Sequence, residues 1–222
     1  MKRKDILEKG ALVQRDGETF AVTPRIPCGL ITDFDILRKM ADVADKYNAK
    51  AIKVTSAQRI TIIGLQEDDL DAAWKDLGME PGMASGLCIR NVKACPGTTY
   101  CKLGQQDALS LGLILEERFV HRQTPNKVKI AVSGCPLDCA EGHVRDIGIL
   151  ANRKGFIVEV GGSAGADPRL AEVIASGLNA EEVETLVGRI LDVYEGFGKK
   201  KRLGQLIDAI GLETFKEKLG LK

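Results

Sequence analysis

Aromatic residues are scarce in this chain, with one Trp and three Tyr among 222 residues, which leaves few rings for stacking on exposed nucleobases. An excess of either charge is also missing. Lys and Arg number 32 against 31 Asp and Glu, a net charge of +1, so no broad field draws nucleic acid or an anionic membrane. Apolar runs such as those at 130–132 and 147–151 are far too short to span a bilayer. The leading MKRKDILEKG is charged and lacks the apolar core of a secretory signal. No internal repeat and no low-complexity tract is found. Together these absences predict a cytoplasmic protein that partners neither nucleic acid nor membrane. Thiols stay reduced there, so the six cysteines read as metal ligands or catalytic groups rather than a disulfide framework.

The hydrophobic share of 44% and charged share of 28% are those of a globular chain long enough for one large or two small domains. Residues 19–22 read as a strand before the turn-rich RIPCG. Asp33 is a candidate N-cap for a helix over 34–47, where Ile36, Leu37, Met40, Val43 and Ala44 share a face. Residues 51–56 and 59–65 are rich in β-branched side chains and predict strands. A helix over 67–77 ends at Gly78. The order β-α-β-β-α is half of a ferredoxin-like sandwich, and Pro81, Gly82 and Gly86 place a boundary near residue 80. Beyond it the sequence predicts a strand at 87–92, a helix from about 102 to 119, a strand at 128–133, and a hairpin over 147–160 turning at 153–155. Asp167-Pro168 open a helix to about 176, a longer helix covers 181–194, and two short helices over 203–219 dock on the body. The fold class is α+β.

Cys95, Cys101, Cys135 and Cys139 stand in CPGTTYC and GCPLDC, a C-x5-C and a C-x3-C pair. Four thiolates suffice for an iron–sulfur cube, and the neighbouring Gly and Pro suit loops that bring backbone N–H groups toward sulfur. Structural zinc prefers pairs spaced by two to four residues, which C-x3-C meets and C-x5-C does not. A third reading is four unrelated buried thiols. The spacing favours the cluster and does not reveal a heme. Cys28 and Cys88 read as small buried hydrophobes, and His143, four residues after Cys139, as a structural histidine, like His121.

With these motifs in view, the chain resembles the siroheme–[4Fe–4S] nitrite and sulfite reductase family. RIPCGLIT at 25–32, IKVTSAQRI at 52–60, CIRNVKAC at 88–95, NKVKI at 126–130 and VGGSAGADPRLA at 160–171 each resemble a family element, and the combination is specific. The resemblance runs from Arg25 to about Phe215. It implies a ferredoxin-like half-domain over 1–80 and a siroheme and [4Fe–4S] domain with C-terminal helices over 81–222. It implies that Cys95, Cys101, Cys135 and Cys139 hold the cluster, with Cys139 also bridging to the siroheme iron. Arg90, Lys127 and Lys129 match the family's substrate-facing cations. An Arg presents a planar fork to an oxyanion, and lysines act as point charges and proton donors. The two lysines are expected on one strand face.

Siroheme carries eight carboxylates, and the resemblance assigns Lys53, Thr55, Gln58, Arg59, Arg90, Asn91 and Arg169 to hold it. Gly161, Gly162 and Gly165 would let backbone N–H groups approach it. GGSAG is not G-x-G-x-x-G and no suitable acidic residue follows, which speaks against a dinucleotide. Two departures stand out: Thr23 and Ala57 occupy positions where the family usually carries arginine. The function expected is six-electron reduction of sulfite to sulfide, or nitrite to ammonia, with electrons from an external donor such as ferredoxin. The alternative is a non-catalytic electron-transfer or redox-sensing protein that keeps the cluster, and a zinc-stabilised module is the outsider. Large family members resemble two fused copies of this unit, so a homodimer is expected.

Overall fold

The computed structural model describes residues 3–198 and 200–221. They form two compact units, one ending at Gly86 and the other beginning at Leu87.

In the first unit, β1 (Ala11–Val13), β2 (Phe20–Val22), β3 (Ala51–Val54) and β4 (Ile60–Leu65) form an antiparallel sheet in the order β1-β2-β4-β3. Helix α1 (Asp35–Lys46) places Met40 and Val43, with Ile36 and Ala44, against a core shared with Phe20, Val22, Ile62 and Leu65. Helix α2 (Leu70–Leu77) adds Leu70, Ala73 and Leu77 and stops at Gly78, whose φ of 61° is left-handed. Full burial of such side chains contributes roughly 1.5–3 kcal/mol each. Asp33 does not cap α1 as expected. Its carboxylate accepts from Asp35 N at 2.9 Å, closing a turn one residue ahead of the helix, and Phe34 takes the cap position. Strand β1 had no sequence signal of its own; it pairs residue for residue with β2. Strand β3 is an edge strand, exposed at all four positions.

In the second unit, β5 (Lys93–Ala94), β6 (Ile130–Val132), β7 (Ile147–Asn152), β8 (Gly155–Val160) and β9 (Glu172–Leu178) form a mixed sheet in sequence order. The first three run parallel and the last three antiparallel. Between β5 and β6 come α3 (Gly97–Tyr100) and α4 (Ala108–Phe119), and α5 (Ala180–Gly196), α6 (Leu203–Ile210) and α7 (Leu212–Lys218) follow β9. Leu111, Leu115 and Phe119 of α4 and Val183, Leu186, Val187 and Ile190 of α5 are buried with Val132, Ile149 and Val158 of the sheet. An Asn179–Glu182 capping box starts α5.

Three expectations need correction. The segment after Asp167-Pro168 is not a helix: Glu172–Leu178 pairs with β8 as the edge strand β9. Its local cap and proline signals lose to the open backbone edge of β8, whose N–H and C=O groups need partners. Residues 87–92 make isolated bridges only, Cys88 to Gln123 and Ile89 to Val128, and regular pairing starts at Lys93. Helix α4 starts at Ala108, where the Asp107 carboxylate accepts from Ser110 N, while 102–107 are turns and loop. Among the described residues no helix is long and apolar enough to cross a membrane.

Candidate functional site

Parallel strands β5 and β6 end side by side, with Ala94 opposite Val132 and Cys95 N donating to Val132 O at 3.0 Å. Both cysteine loops therefore leave the same end of the sheet. Missing side chains then lock them together. A Cβ on Gly134 would stand 2.8 Å from Gly97 Cα and 2.8 Å from Gln106 O, and one on Gly104 would stand 2.5 Å from the Gly97 carbonyl carbon. Gly134 O accepts from Gln105 N at 2.7 Å and Gln106 N at 3.1 Å, and Gly134 N donates to Cys95 Sγ at 3.0 Å. That last contact is the backbone-to-sulfur bond expected of an iron–sulfur loop. Cys95 and Cys135 are buried, Cys101 is half-buried and Cys139 is exposed, and none forms a disulfide.

No three thiol, imidazole or carboxylate groups among the described residues converge on a point that one metal ion could fill. A four-iron cube spans more space than one ion, and its ligands stand correspondingly apart. Thiols spread over two interlocked loops, with a backbone donor already on one sulfur, fit such a cube. They fit tetrahedral zinc less well, since it draws its sulfurs to about 2.3 Å.

The expected cationic residues lie toward the other end of these strands. Arg90 N donates to Val128 O at 2.9 Å, which sets Arg90 level with Lys127 and Lys129. The lysines are not inside a strand, as expected, but just ahead of β6; the alternation nevertheless holds, because Val128 and Ile130 are buried and both lysines half-buried. Arg90 is nearly buried, and burial lowers the pKa of its guanidinium. The Lys129 ammonium is also pushed below its usual range, by burial first and then by Arg145, Lys127 and Arg202, against the pull of Asp146.

Sequence reasoning missed three of those groups. Asp146 is fully buried, and its carboxylate accepts from Lys129 N at 2.8 Å, Arg202 Nε at 2.9 Å and Arg202 Nη2 at 2.7 Å. Arg145 pairs with Glu141. The only sequence signals were an Arg-Asp pair directly after the cysteine loop and a basic stretch at 199–202. Glu116 was missed too: buried on α4, it accepts from Asn91 Nδ2 and Val92 N, each at 2.7 Å. Asn91 Oδ1 is buried with no hydrogen-bond partner among the described residues.

The glycine segment borders a cavity of about 570 Å³ whose lining includes Asp146, Gly161, Gly162, Gly165, Arg169 and Arg202. Gly161 and Gly162 are packing glycines: added Cβ atoms would meet Arg169 Nη1 at 2.5 Å and Arg145 O at 2.6 Å. Gly165 is open, with Ser163 Oγ at 3.5 Å the nearest atom to such a Cβ. Arg169 is held by Asp208, Glu172 and Gly161 O. His143 is tied through Nδ1 to Glu159 at 2.8 Å. Lys53, Thr55, Gln58 and Arg59 lie in the first unit on the β3–β4 hairpin, where Thr55 Oγ1 accepts from Arg59 N at 3.3 Å. Thr23 is buried there, its hydroxyl 2.9 Å from that of Thr61.

Residues 85–222 match the family model described as the nitrite and sulphite reductase 4Fe-4S domain, and residues 12–80 match the nitrite/sulfite reductase ferredoxin-like half domain. The chain belongs to the nitrite and sulfite reductase family. It is an oxidoreductase of the siroheme type, whose cofactors are siroheme and a [4Fe–4S] cluster. It is 38% identical over 210 residues to an assimilatory-type sulfite reductase of Nitratidesulfovibrio vulgaris, covering 94% of this chain and 96% of that one. It is 39% identical over 203 residues to an NAD(P)H nitrite reductase of Bacillus subtilis, covering 91% of this chain but only 25% of the relative. A crystal structure of dissimilatory sulfite reductase I shares the fold, with a TM-score of 0.81 at 16% identity over 92% of this chain and 69% of that one.

Proposed function

We propose that this family member reduces sulfite to sulfide, with nitrite as its second anion, using electrons from a separate donor such as ferredoxin, in the cytoplasm. The observation that carries the substrate is the group of half-buried cations around Lys129. An oxyanion entering there relieves the repulsion that Lys127 and Arg145 exert on Lys129, which Glu141, paired with Arg145, and the buried Asp146, paired with Arg202, offset only in part. Near-complete coverage of the sulfite reductase relative supports sulfite over nitrite.

When bound, the cofactor pair would relay the donor's electrons to the anion and supply an iron to bind it. The chain's own residues do the rest. Cys95, Cys101, Cys135 and Cys139 would hold the cluster, and the exposed Cys139 is the one of them left accessible to siroheme as well. Arg90 clamps the oxyanion, and Lys127 and Lys129 hold it and deliver protons as oxygen leaves as water. A lysine with a lowered pKa gives up its proton more readily. In the second domain Asn91, Gly161, Gly162, Gly165 and Arg169 would receive siroheme carboxylates, Arg169 chiefly by fixing Gly161, and in the first Lys53, Thr55, Gln58 and Arg59 would offer the same chemistry. With a boundary near residue 80, these duties would divide between two domains, 1–80 and 81–222.

Val128 and Val132 are four residues apart, about 13 Å of extended chain, so within one copy the cations and cysteine loops stand at opposite ends of β6. This supports a homodimer in which the cation end of one copy serves the thiolate end of the other. Light scattering that finds one chain per particle argues against it. A second reading, electron transfer without catalysis, is favoured by Thr23 and Ala57 where the family carries arginines. Steady-state oxidation of reduced methyl viologen separates the two. Turnover with sulfite exceeding that with nitrite supports the proposal, and no turnover with either anion by siroheme-replete protein supports the second reading.

A further inference from the structure

We infer that Asp138, joined to Ser133, is the positioning residue that fixes Cys139 for its metal group. The inference rests on the cluster-binding reading above. Cys139 is exposed, so side-chain packing does not hold it as it holds Cys95 and Cys135. Its position must come from the backbone on either side, and there the hydrogen bonds converge on two side chains.

Asp138 Oδ1 accepts from Ser133 Oγ at 2.8 Å and from Gly142 N at 2.7 Å, and its Oδ2 accepts from His143 N at 3.1 Å. Ser133 Oγ in turn accepts from Ala140 N at 3.1 Å. Ser133 is buried and anchored to the sheet, its N donating to Ile149 O of β7 at 2.7 Å. Three of the four N–H groups following Cys139, those of Ala140, Gly142 and His143, are thus gathered onto one Ser–Asp pair, the fourth, Glu141 N, donates to the Asp138 carbonyl, and the pair is fixed to a core strand. The chain closes a collar around a thiol that it leaves outside.

Two further features show that the collar is specified. Asp138 and Glu141 have φ of 49° and 62°, the left-handed region that Asp tolerates better than most residues. Gly142 lies flat on the sheet, because a Cβ on Gly148 would stand 2.4 Å from Gly142 O. Removing the Asp138 carboxylate leaves Gly142 N and His143 N without acceptors and lets the Cys139 turn relax toward ordinary backbone angles.

The test uses the cofactor-loaded protein. Iron release to a chelator, siroheme retention through gel filtration and thermal melting are followed in wild type, Asp138→Ala, Asp138→Asn and Ser133→Ala. Asp138→Ala should lose iron about 10- to 100-fold faster, the usual cost of removing a group that orients a ligand. Asp138→Asn keeps an oxygen for Ser133 and Gly142 and should recover most of the wild-type retention. Should Asp138→Ala fail to fold, Ser133→Ala carries the test, with faster release at near-wild-type melting. Wild-type release rates in the alanine variants, or no recovery by asparagine, overturn the inference while the cluster reading stands. Wild-type protein that takes up no iron at all overturns both.

Discussion

Gly134→Ala is the sharpest test of how the cysteine loops are held together. The new methyl would sit 2.8 Å from both Gly97 Cα and Gln106 O. Both are backbone atoms, so no flexible side chain can swing aside, and one loop must move. Moving Gly134 strains its N–H bond to Cys95 Sγ at 3.0 Å and the bonds its carbonyl accepts from Gln105 and Gln106. Overpacking of this kind costs about 1–3 kcal/mol. If that cost falls on the assembled site, cluster affinity drops roughly 5- to 150-fold at about 1.4 kcal/mol per decade. Chelator-driven iron loss measures it, with Gly196→Ala as the control, since nothing lies within 4 Å of a Cβ there. Equal cluster retention in Gly134→Ala and wild type would refute the interlock.

Lys129→Ala should lower sulfite turnover by about 10²-fold or more, the scale of losing one charge-stabilising donor, with the absorption spectrum unchanged. If sites are shared between copies, mixing it with inactive Cys139→Ser should restore part of the rate. Arg202→Gln takes from the buried Asp146 carboxylate its ion-pair partner and should cost up to about 3–5 kcal/mol in denaturant unfolding; a change below 1 kcal/mol would deny the pair its structural role. The His143 imidazole is held above its usual pKa chiefly by its hydrogen bond to Glu159, with Asp138 contributing. A folded pKa raised above the unfolded one gives stability that is full below about pH 6.5 and lost as pH rises through the folded value. NMR titration should find the His143 transition displaced upward, and back near its ordinary value in Glu159→Gln.

Much of the first unit was legible because its signals are local and agree with one another. The apolar face of α1, the β-branched β4 and the stop at Gly78 all point the same way. The cysteine loops were legible because soft-ligand chemistry with Gly and Pro neighbours leaves a distinctive pattern. What escaped depends on partners far along the chain. Residues 167–176 carry helix-start signals, yet Glu172–Leu178 completes a sheet edge that only tertiary pairing supplies. Asp146 and Arg202 meet across 56 residues, and Asn91 and Glu116 across 25, so neither pair shows in any window. Gly161 and Gly162 were read for ligand approach, whereas their missing side chains first make room for Arg169 and for the backbone at Arg145.

Everything turns on whether Cys95, Cys101, Cys135 and Cys139 carry a cube that shares a sulfur with a tetrapyrrole. Absorption and electron paramagnetic resonance of anaerobically prepared protein, with and without Cys139→Ser, address this most directly. Isobacteriochlorin bands together with iron and acid-labile sulfide are expected in wild type, and both centres disturbed at once in the variant. Colourless protein, or a variant whose two spectra match wild type, would contradict that arrangement.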